Sequence, residues 1–471
     1  MTRPGVTRRL AGFAVEFDRA DIPERTRRAA VRTVTNAVSL AVGSSRSPAC
    51  EIALETLEKL GHAGDVSLLG REERLGLTSA PLVTGVAIHV EDFDDAHLTT
   101  VVHPAAPVVP AALAVAEYVG ASGADLVDAV TVGVEVSLRV GLGLGKGHFD
   151  RGWHVTGTAG HLGAAAAAGR LLGLDVARMV VALGVASTEA AGLQEAFGTM
   201  TKSFHAGKAA ADGVEAALLA KHGFTGPVAP IEGRRGLAAV AGGGFDPDQI
   251  VTRLGERWEI DANAIKPYAC GIVSHAAIDA AIALRGDCPE PDRIASVELR
   301  VNPVVLDVMG VSDPQDGLAA KFSVYHCFAV GLLDGSAGPP QYTTDRARAD
   351  DVVALRRKVH VRLDPAVRRD EAWARVVDVT GDVHERHVGH ATGSIERPMS
   401  DAALRAKCVG VALPVLGDGT AAFVDAAFDV DGLPSVAALT RLSVPRPAVA
   451  PSTTDDSAGA VNSRRAAGSG R

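Results

Sequence analysis

The sequence predicts a mainly α fold that carries a smaller α+β unit, and three observations point there. Apolar residues recur at helical spacing through most of the stretch from Pro23 to Leu284, with Gly or Pro at most of the breaks. After Pro291 the pattern turns to period-two alternation, the mark of half-buried strands. Beyond Pro398 helical spacing returns. At 471 residues the chain is too long for one simple core, so two domains are expected.

In chain order, Arg25 to Val42, Ala106 to Tyr118, Gly157 to Leu172 and Ala206 to His222 place their apolar residues on helical faces. Gly43, Pro81, Gly120, Gly123, Gly173 and Gly223 punctuate them. The alanines from Ala164 to Ala168 predict a buried helix that lets a neighbour come close. Ile294 to Val301, Lys358 to Leu363 and Arg375 to Val379 read as strands, and Phe322 to Leu333 between them as a helix. These define an α+β unit over about 266–395. Ser400 to Leu416 and Ser435 to Leu442 are helical again; if they rejoin the first domain, the α+β unit is an insertion. The tail, 446–471, is rich in Pro, Ser, Ala and Gly and is expected to be disordered, having too little apolar area to order itself.

Composition narrows the function. Apolar residues make up 47% and aromatics only 4%, which suits helices that cross closely over small side chains. The net charge of −9 disfavours nucleic acid, whose partners usually carry a basic stripe. No uninterrupted apolar run reaches the roughly 18 residues of a membrane span, so no membrane is expected. Glu16 and Asp18 interrupt the segment that follows the basic start, which argues against a signal peptide. Five scattered cysteines without a CxxC pair predict free thiols in a reducing cytoplasm and argue against an iron–sulfur cluster.

The densest chemistry lies at Asp92-Phe-Asp-Asp95-Ala-His97, followed by His103-Pro104. Three carboxylates and two imidazoles sit where the apolar pattern from Pro81 to Val90 runs out. Charges at the end of a buried helix are costly unless a partner, water or a ligand satisfies them, so the cluster is a candidate site; a solvated helix end is the plain alternative. His154 precedes the alanine-rich helix, where the positive end of the helix dipole favours a neutral imidazole able to accept a proton. Lys202 and His205 share one helical face. Lys266, Tyr268 and His275 fall at the expected domain junction, where small molecules often bind.

Other chemistries fit less well. Gly141-Leu-Gly-Leu-Gly145-Lys146-Gly147 lacks the Ser or Thr of a P-loop and does not match GxGxxG; a flexible connection is expected there. Asp94, Asp95, His97 and His103 raise the question of a metal, but no HExxH or EF-hand pattern is present, and no metal is expected. GxSxG, which a Ser-His-Asp hydrolase would want, is absent.

Taken in order, these segments resemble the MmgE/PrpD family of 2-methylcitrate dehydratase, cis-aconitate decarboxylase and iminodisuccinate epimerase. The resemblance runs over about residues 8–445. It rests on Asp92-Phe-Asp-Asp95 with His103-Pro104, Trp153-His154 with Thr156-Gly157-Thr158, Lys202 with His205 and Gly207, Lys266-Pro-Tyr268 with His275, and Lys321-Phe-Ser323. Leu333-Asp-Gly335, Lys407 and Pro414-Val-Leu-Gly417 continue the series. It implies a large helical domain built from both chain ends, 1–265 and 396–445, with 266–395 as an α+β lid over a site between them, in a homodimer. It also implies no metal or cofactor, and functional roles for Asp92, His103, His154, Lys202 and Lys266.

Three departures weigh against itaconate-type decarboxylation: Ala96 where a threonine often follows the paired acids, Gly271 where the decarboxylase branch has a histidine, and Val324-Tyr325-His326 where Leu-Pro-Tyr is common. The expected activity is a lyase or isomerase that moves a proton beside a carboxylate of a small polycarboxylate, as in 2-methylcitrate dehydration. An epimerase or eliminating lyase of specialised metabolism, or a decarboxylase, is the alternative. His154 is the expected base and Asp92 the orienting acid, with Lys202, Lys266 and His103 holding carboxylates. His97 or His275 is expected to protonate the leaving hydroxyl, with Asp95 and Tyr268 beside the substrate.

Overall fold

The computed structural model describes residues 5–288 and 290–445; the tail expected at 446–471 lies outside them. The fold is mainly α. The first helices are α1 (Val6–Glu16), α2 (Glu24–Gly43), α3 (Pro48–Lys59), α4 (Ser79–His89), α5 (Ala105–Val119), α6 (Gly123–Leu144), α7 (Lys146–Asp150), α8 (Val155–Leu171), α9 (Val176–Glu189) and α10 (Met200–Lys221). Helix α10 starts before the expected Ala206 because the Thr199 hydroxyl accepts from the Thr201 N–H and caps it. A capping box between Ser122 and Asp125 opens α6.

Small residues at the crossings set how closely these helices approach. Ala164 to Ala168 on α8 are all fully buried. A Cβ on Gly163 of α8 would meet the Gly133 carbonyl oxygen of α6 at 2.6 Å, and one on Gly133 would meet the Gly163 oxygen at 2.7 Å. The alanine-rich text is thus an inter-helix contact surface. The Gly141–Gly147 run is not a loose connection: α6 continues to Leu144, Gly145 turns the chain at φ +73°, and α7 follows. A Cβ at Gly147 would meet the Gly243 carbonyl oxygen at 2.3 Å, so the glycines serve close backbone packing.

The second part holds a four-stranded sheet of β5 (Ile294–Val301), β6 (Val359–Leu363), β7 (Ala372–Asp378) and β8 (Val383–Val388), in the order β6-β5-β7-β8. Before it in the chain come β1 (Ala63–Ser67) and β2 (Arg74–Leu75), which pair, and β3 (Asp95–Ala96) and β4 (Ala264–Ile265), which also pair. Strand β5 runs parallel to β6 and antiparallel to β7. The strand β8, Val-His-Glu-Arg-His-Val, escaped the sequence reading because its residues are mostly polar and it lies at the sheet edge. Helices at His275–Leu284 and Val324–Asp334 pack on each other, and the first also packs on β7 and β8.

One hydrophobic core gathers residues from Val6 to Ile265 and again from Met399 to Leu439; another gathers Ala269 to Ala391 with Leu40 and Phe93. The C-terminal helices Asp401–Leu416 and Thr420–Phe428 both lie on α2. Together, Asp401 to Phe428 is apolar and long enough by composition to cross a bilayer. In the fold it is interrupted at Gly417, and Lys407 turns inward from it.

Candidate active site

The site begins at a helix crossing without side chains. A Cβ on Gly85 of α4 would meet the Gly207 Cα of α10 at 2.7 Å, and one on Gly207 would meet the Leu82 carbonyl oxygen at 2.2 Å. This contact sets the C-terminal end of α4 beside the first turn of α10, and so brings Asp92 to Lys202. The chain then turns sharply: Asp92 has φ +49°, a left-handed conformation that Asp tolerates better than most residues. Downstream, β3 pairs with β4, Asp95 opposite Ile265, and the Lys266 N–H donates to the Asp94 carbonyl at 3.2 Å. A segment 170 residues away in sequence is thereby stitched to the acidic loop, with Lys266 opposite Asp94, two residues from Asp92.

Asp92 is the hub. Its Oδ1 accepts from Lys202 Nζ at 2.5 Å and lies 3.1 Å from Lys266 Nζ, which also donates to the Asp92 carbonyl at 3.1 Å. Burial by itself would favour the neutral acid, but the two ammoniums, then His103, outweigh it and hold Asp92 well below the usual carboxylate range. Lys202 is buried too; desolvation pulls its pKa down while Asp92 pulls it up. The rings of Phe197 and Phe322 lie 5.6 and 5.3 Å from its Nζ.

Asp94 carries a second arrangement. Its two oxygens meet His89 Nδ1 at 2.7 Å and His103 Nδ1 at 3.1 Å. Burial opposes its ionisation, yet the two imidazoles hold its pKa well below the ordinary value. With Nδ1 of His103 turned to the carboxylate, its Nε2 is the nitrogen left for a ligand. Burial pushes His103 down to about 4, with Asp94 pulling the other way and Lys266 adding to the fall.

His154 stands at the N-cap of α8, its Nδ1 3.0 Å from His205 Nδ1, its ring stacked on His89 and edge-on to Phe197. Burial first, then His89 and Lys202, keep its pKa well below the ordinary imidazole value, as the helix terminus also favours. His97 bonds through Nδ1 to Thr100 Oγ1 at 2.9 Å and is pushed down to about 4 by burial.

A cavity of about 490 Å³ unites Asp92, His97, His103, His154, Lys202 and Lys266. Three other expected substrate contacts do not line it. Asp95 turns inward, accepting from the Ala105 N–H at 3.1 Å and Asn263 Nδ2 at 2.5 Å, and is pushed up to about 7 by burial and then Asp94. The Tyr268 hydroxyl donates to Asp279 Oδ1 at 2.5 Å, and its ring packs edge-on against His275, which is itself fully buried. These three brace the acidic loop and the segment after Lys266 instead of facing a ligand.

Two neighbours had no role assigned from the sequence, although Lys407 belongs to the motif series. His89 ends the apolar helix three residues before Asp92, a polar residue on an otherwise apolar face. Lys407 comes from the far end of the chain and donates to the carbonyls of Phe93 at 2.6 Å and Lys266 at 2.7 Å, tying both sides of the site.

Family models match the chain twice: the MmgE/PrpD N-terminal domain over residues 8–250 and the MmgE/PrpD C-terminal domain over residues 268–427. The chain belongs to the MmgE/PrpD family. It is similar to cis-aconitate decarboxylase of Aspergillus terreus, 29% identical over 382 residues, which cover 76% of this chain and 78% of the relative. It is 30% identical over 310 residues to the cis-aconitate decarboxylase-like protein oryM of Aspergillus oryzae, covering 62% of this chain and 64% of the relative. The mouse cis-aconitate decarboxylase is 31% identical over 306 residues, 62% of each. This membership makes the chain an enzyme, a lyase of the MmgE/PrpD type.

By distance alone, His89, Asp92, Asp94 and His103 are close enough to share a metal ion. Their chemistry fits one poorly. Asp92 already answers two ammoniums, and a divalent cation there would stand beside Lys202 and Lys266. Both histidines turn Nδ1 to Asp94, which leaves each only Nε2 for an ion.

Proposed function

We propose that this MmgE/PrpD member is a cofactor-independent lyase that removes water from a small hydroxy-polycarboxylate, in the manner of 2-methylcitrate dehydration. One observation carries the proposal: two ammoniums that share the Asp92 carboxylate and three imidazoles, His97, His103 and His154, face one cavity. The α+β unit over about 266–395 is read as a lid on the helical body, closing on the substrate and excluding water. The same reading expects a homodimer in the cytoplasm, with neither nucleic acid nor membrane as partner.

Lys202 and Lys266 take substrate carboxylates, and their charge steadies the carbanion or aci-carboxylate that forms as the α-proton leaves. His154, kept neutral first by burial and then by His89 and Lys202, takes that proton on Nε2. The electron pair of the broken C–H bond becomes the new C=C bond, and the hydroxyl departs with a proton from His103. Asp94 and the bound polycarboxylate together suit His103 to the acid role, because both negative charges raise its pKa from about 4 and stabilise the imidazolium. Asp92 spaces the two lysines, its carboxylate oxygen accepting from one and lying 3.1 Å from the other.

Decarboxylation is the second reading, favoured by the names of the relatives. Gly271 speaks against it: a Cβ there would meet Met309 Sδ, so the histidine of the decarboxylase branch would fit this wall only if that buried methionine moved aside. The test is product mass after incubating chelated protein with citrate-like acids and with cis-aconitate. Gain or loss of water supports dehydratase chemistry; release of carbon dioxide moves the assignment to the second reading; no change with any acid overturns both.

A further inference from the structure

We propose that the substrate carries an apolar arm, an alkyl chain of several carbons attached to its polycarboxylate head; this rests on the polycarboxylate reading above. The charged machinery is compact. Lys202 and Lys266 both stand within about 3 Å of Asp92, and with His103 and His154 they line the same cavity. The remaining wall is of a different character. Leu98, Val101, Leu142, Phe149, Ile272 and Val308 line it with aliphatic and aromatic surface.

Exposed polar residues of the lining mark the rim, while Thr100 is buried beside His97 and Asn302 is half-buried. Thr99, Lys146, Asp150, Asp307 and Arg369 are exposed. Lys146 Nζ is already satisfied by both Asp150 oxygens, at 2.7 and 2.6 Å, so this pair offers little net charge to a ligand passing it. A ligand would therefore meet charge at the inner cluster, apolar surface along the walls, and mixed charge at the mouth.

Volume points the same way. About 490 Å³ is a cavity for a drug-sized molecule and far exceeds what a six-carbon tricarboxylate fills. A short acid bound to the lysines would leave Leu142, Phe149 and Val308 facing water. An alkyl arm lying against them removes that surface from water and gains affinity with each added methylene. Charged or strongly hydrated arms gain little from such walls, where His97 and Thr100, already bonded to each other, are the buried polar groups beside the aliphatic surface.

The experiment is a homologous series. Citrate-type acids bearing hydrogen, methyl, butyl or octyl at the carbon next to a terminal carboxylate are turned over by wild-type protein and by Leu142→Trp, and kcat/KM is measured for each. Wild type is expected to improve roughly fourfold per methylene over the first several carbons, then level off. The Leu142→Trp protein, with its fold checked by circular dichroism, is expected to lose at least about tenfold of the long-to-short preference. Equal or better kcat/KM for the short acids in wild type overturns the arm while leaving the function standing. An unchanged preference in the folded Leu142→Trp protein overturns the placement of the arm. If no acid of any length is turned over, or exchanges a C–H proton with solvent, the polycarboxylate reading itself falls and the arm with it.

Discussion

The Asp92 carboxylate and the Lys202 ammonium, 110 positions apart in the chain, meet at 2.5 Å in a buried ion pair. Lys266 shares the same oxygen at 3.1 Å, so one anion spaces two cations that would otherwise repel each other in a low-dielectric cavity. Replacing Asp92 by Asn leaves both ammoniums buried without their counter-ion. Breaking such a pair costs about 3–5 kcal/mol. The Asp92→Asn protein is expected to lose about that much stability in urea unfolding, and to lower kcat/KM at least about 100-fold. Wild-type stability would show that the pair bears no uncompensated charge.

Asp94 serves His103 differently, through Nδ1. In Asp94→Asn the imidazole keeps a hydrogen-bond partner but loses the charge that stabilises its protonated form. General acid–base groups contribute about 10²–10⁴ in rate. The variant is expected to lose kcat within that range while KM changes little, since the lysines still hold the substrate. A loss confined to KM would assign His103 to binding.

The cavity is poised for anions. His97 and His103 are both pushed down to about 4, chiefly by burial. A bound polycarboxylate brings negative charge beside them, favours their protonated forms and raises both pKa values. Binding therefore takes up protons in the window between about pH 4 and 7, and affinity strengthens as pH falls through it. Calorimetry of a non-reacting tricarboxylate at pH 6, in two buffers of different ionisation enthalpy, measures the uptake. Proton release would contradict this electrostatic picture.

Lys407 ties the two halves of the site through the Phe93 and Lys266 carbonyls. Burial pulls its pKa down to about 7 from the ordinary 10.5. A lysine depressed in the folded state gives its full stabilisation above the unfolded pKa and loses it as pH falls toward the folded one. Wild type should thus gain stability relative to Lys407→Met as pH rises from 7 to 10, by more than about 1 kcal/mol. Denaturant midpoints at the two pH values check this; parallel curves would mean that Lys407 stays fully charged in the fold.

Much of this architecture was legible in the text because small residues and periodicity are local signals. The alanines of α8 announced a buried crossing, and the alternation of Ile294 to Val301 announced a strand. Asp92, His103, His154, Lys202 and Lys266 stood out as ordered motifs, and they do share a cavity. What the text hid was direction. Whether Tyr268 or Asp95 faces the ligand or the scaffold depends on partners such as Asp279 and Asn263, which no nearby spacing reveals. Lys407 reaches the site only because its helix folds back on α2.

The central claim is that these groups move a proton beside a substrate carboxylate, and hydrogen exchange reads that step directly. Wild-type protein, His154→Gln and Lys202→Met are incubated in deuterium oxide with citrate-like acids and cis-aconitate, and the C–H signals are followed by NMR. Deuterium is expected to enter a carbon next to a carboxylate with wild type, and to be lost by at least about 100-fold in both variants. Full exchange by His154→Gln would remove that histidine as the base, and no exchange by wild type with any acid would contradict the account as a whole.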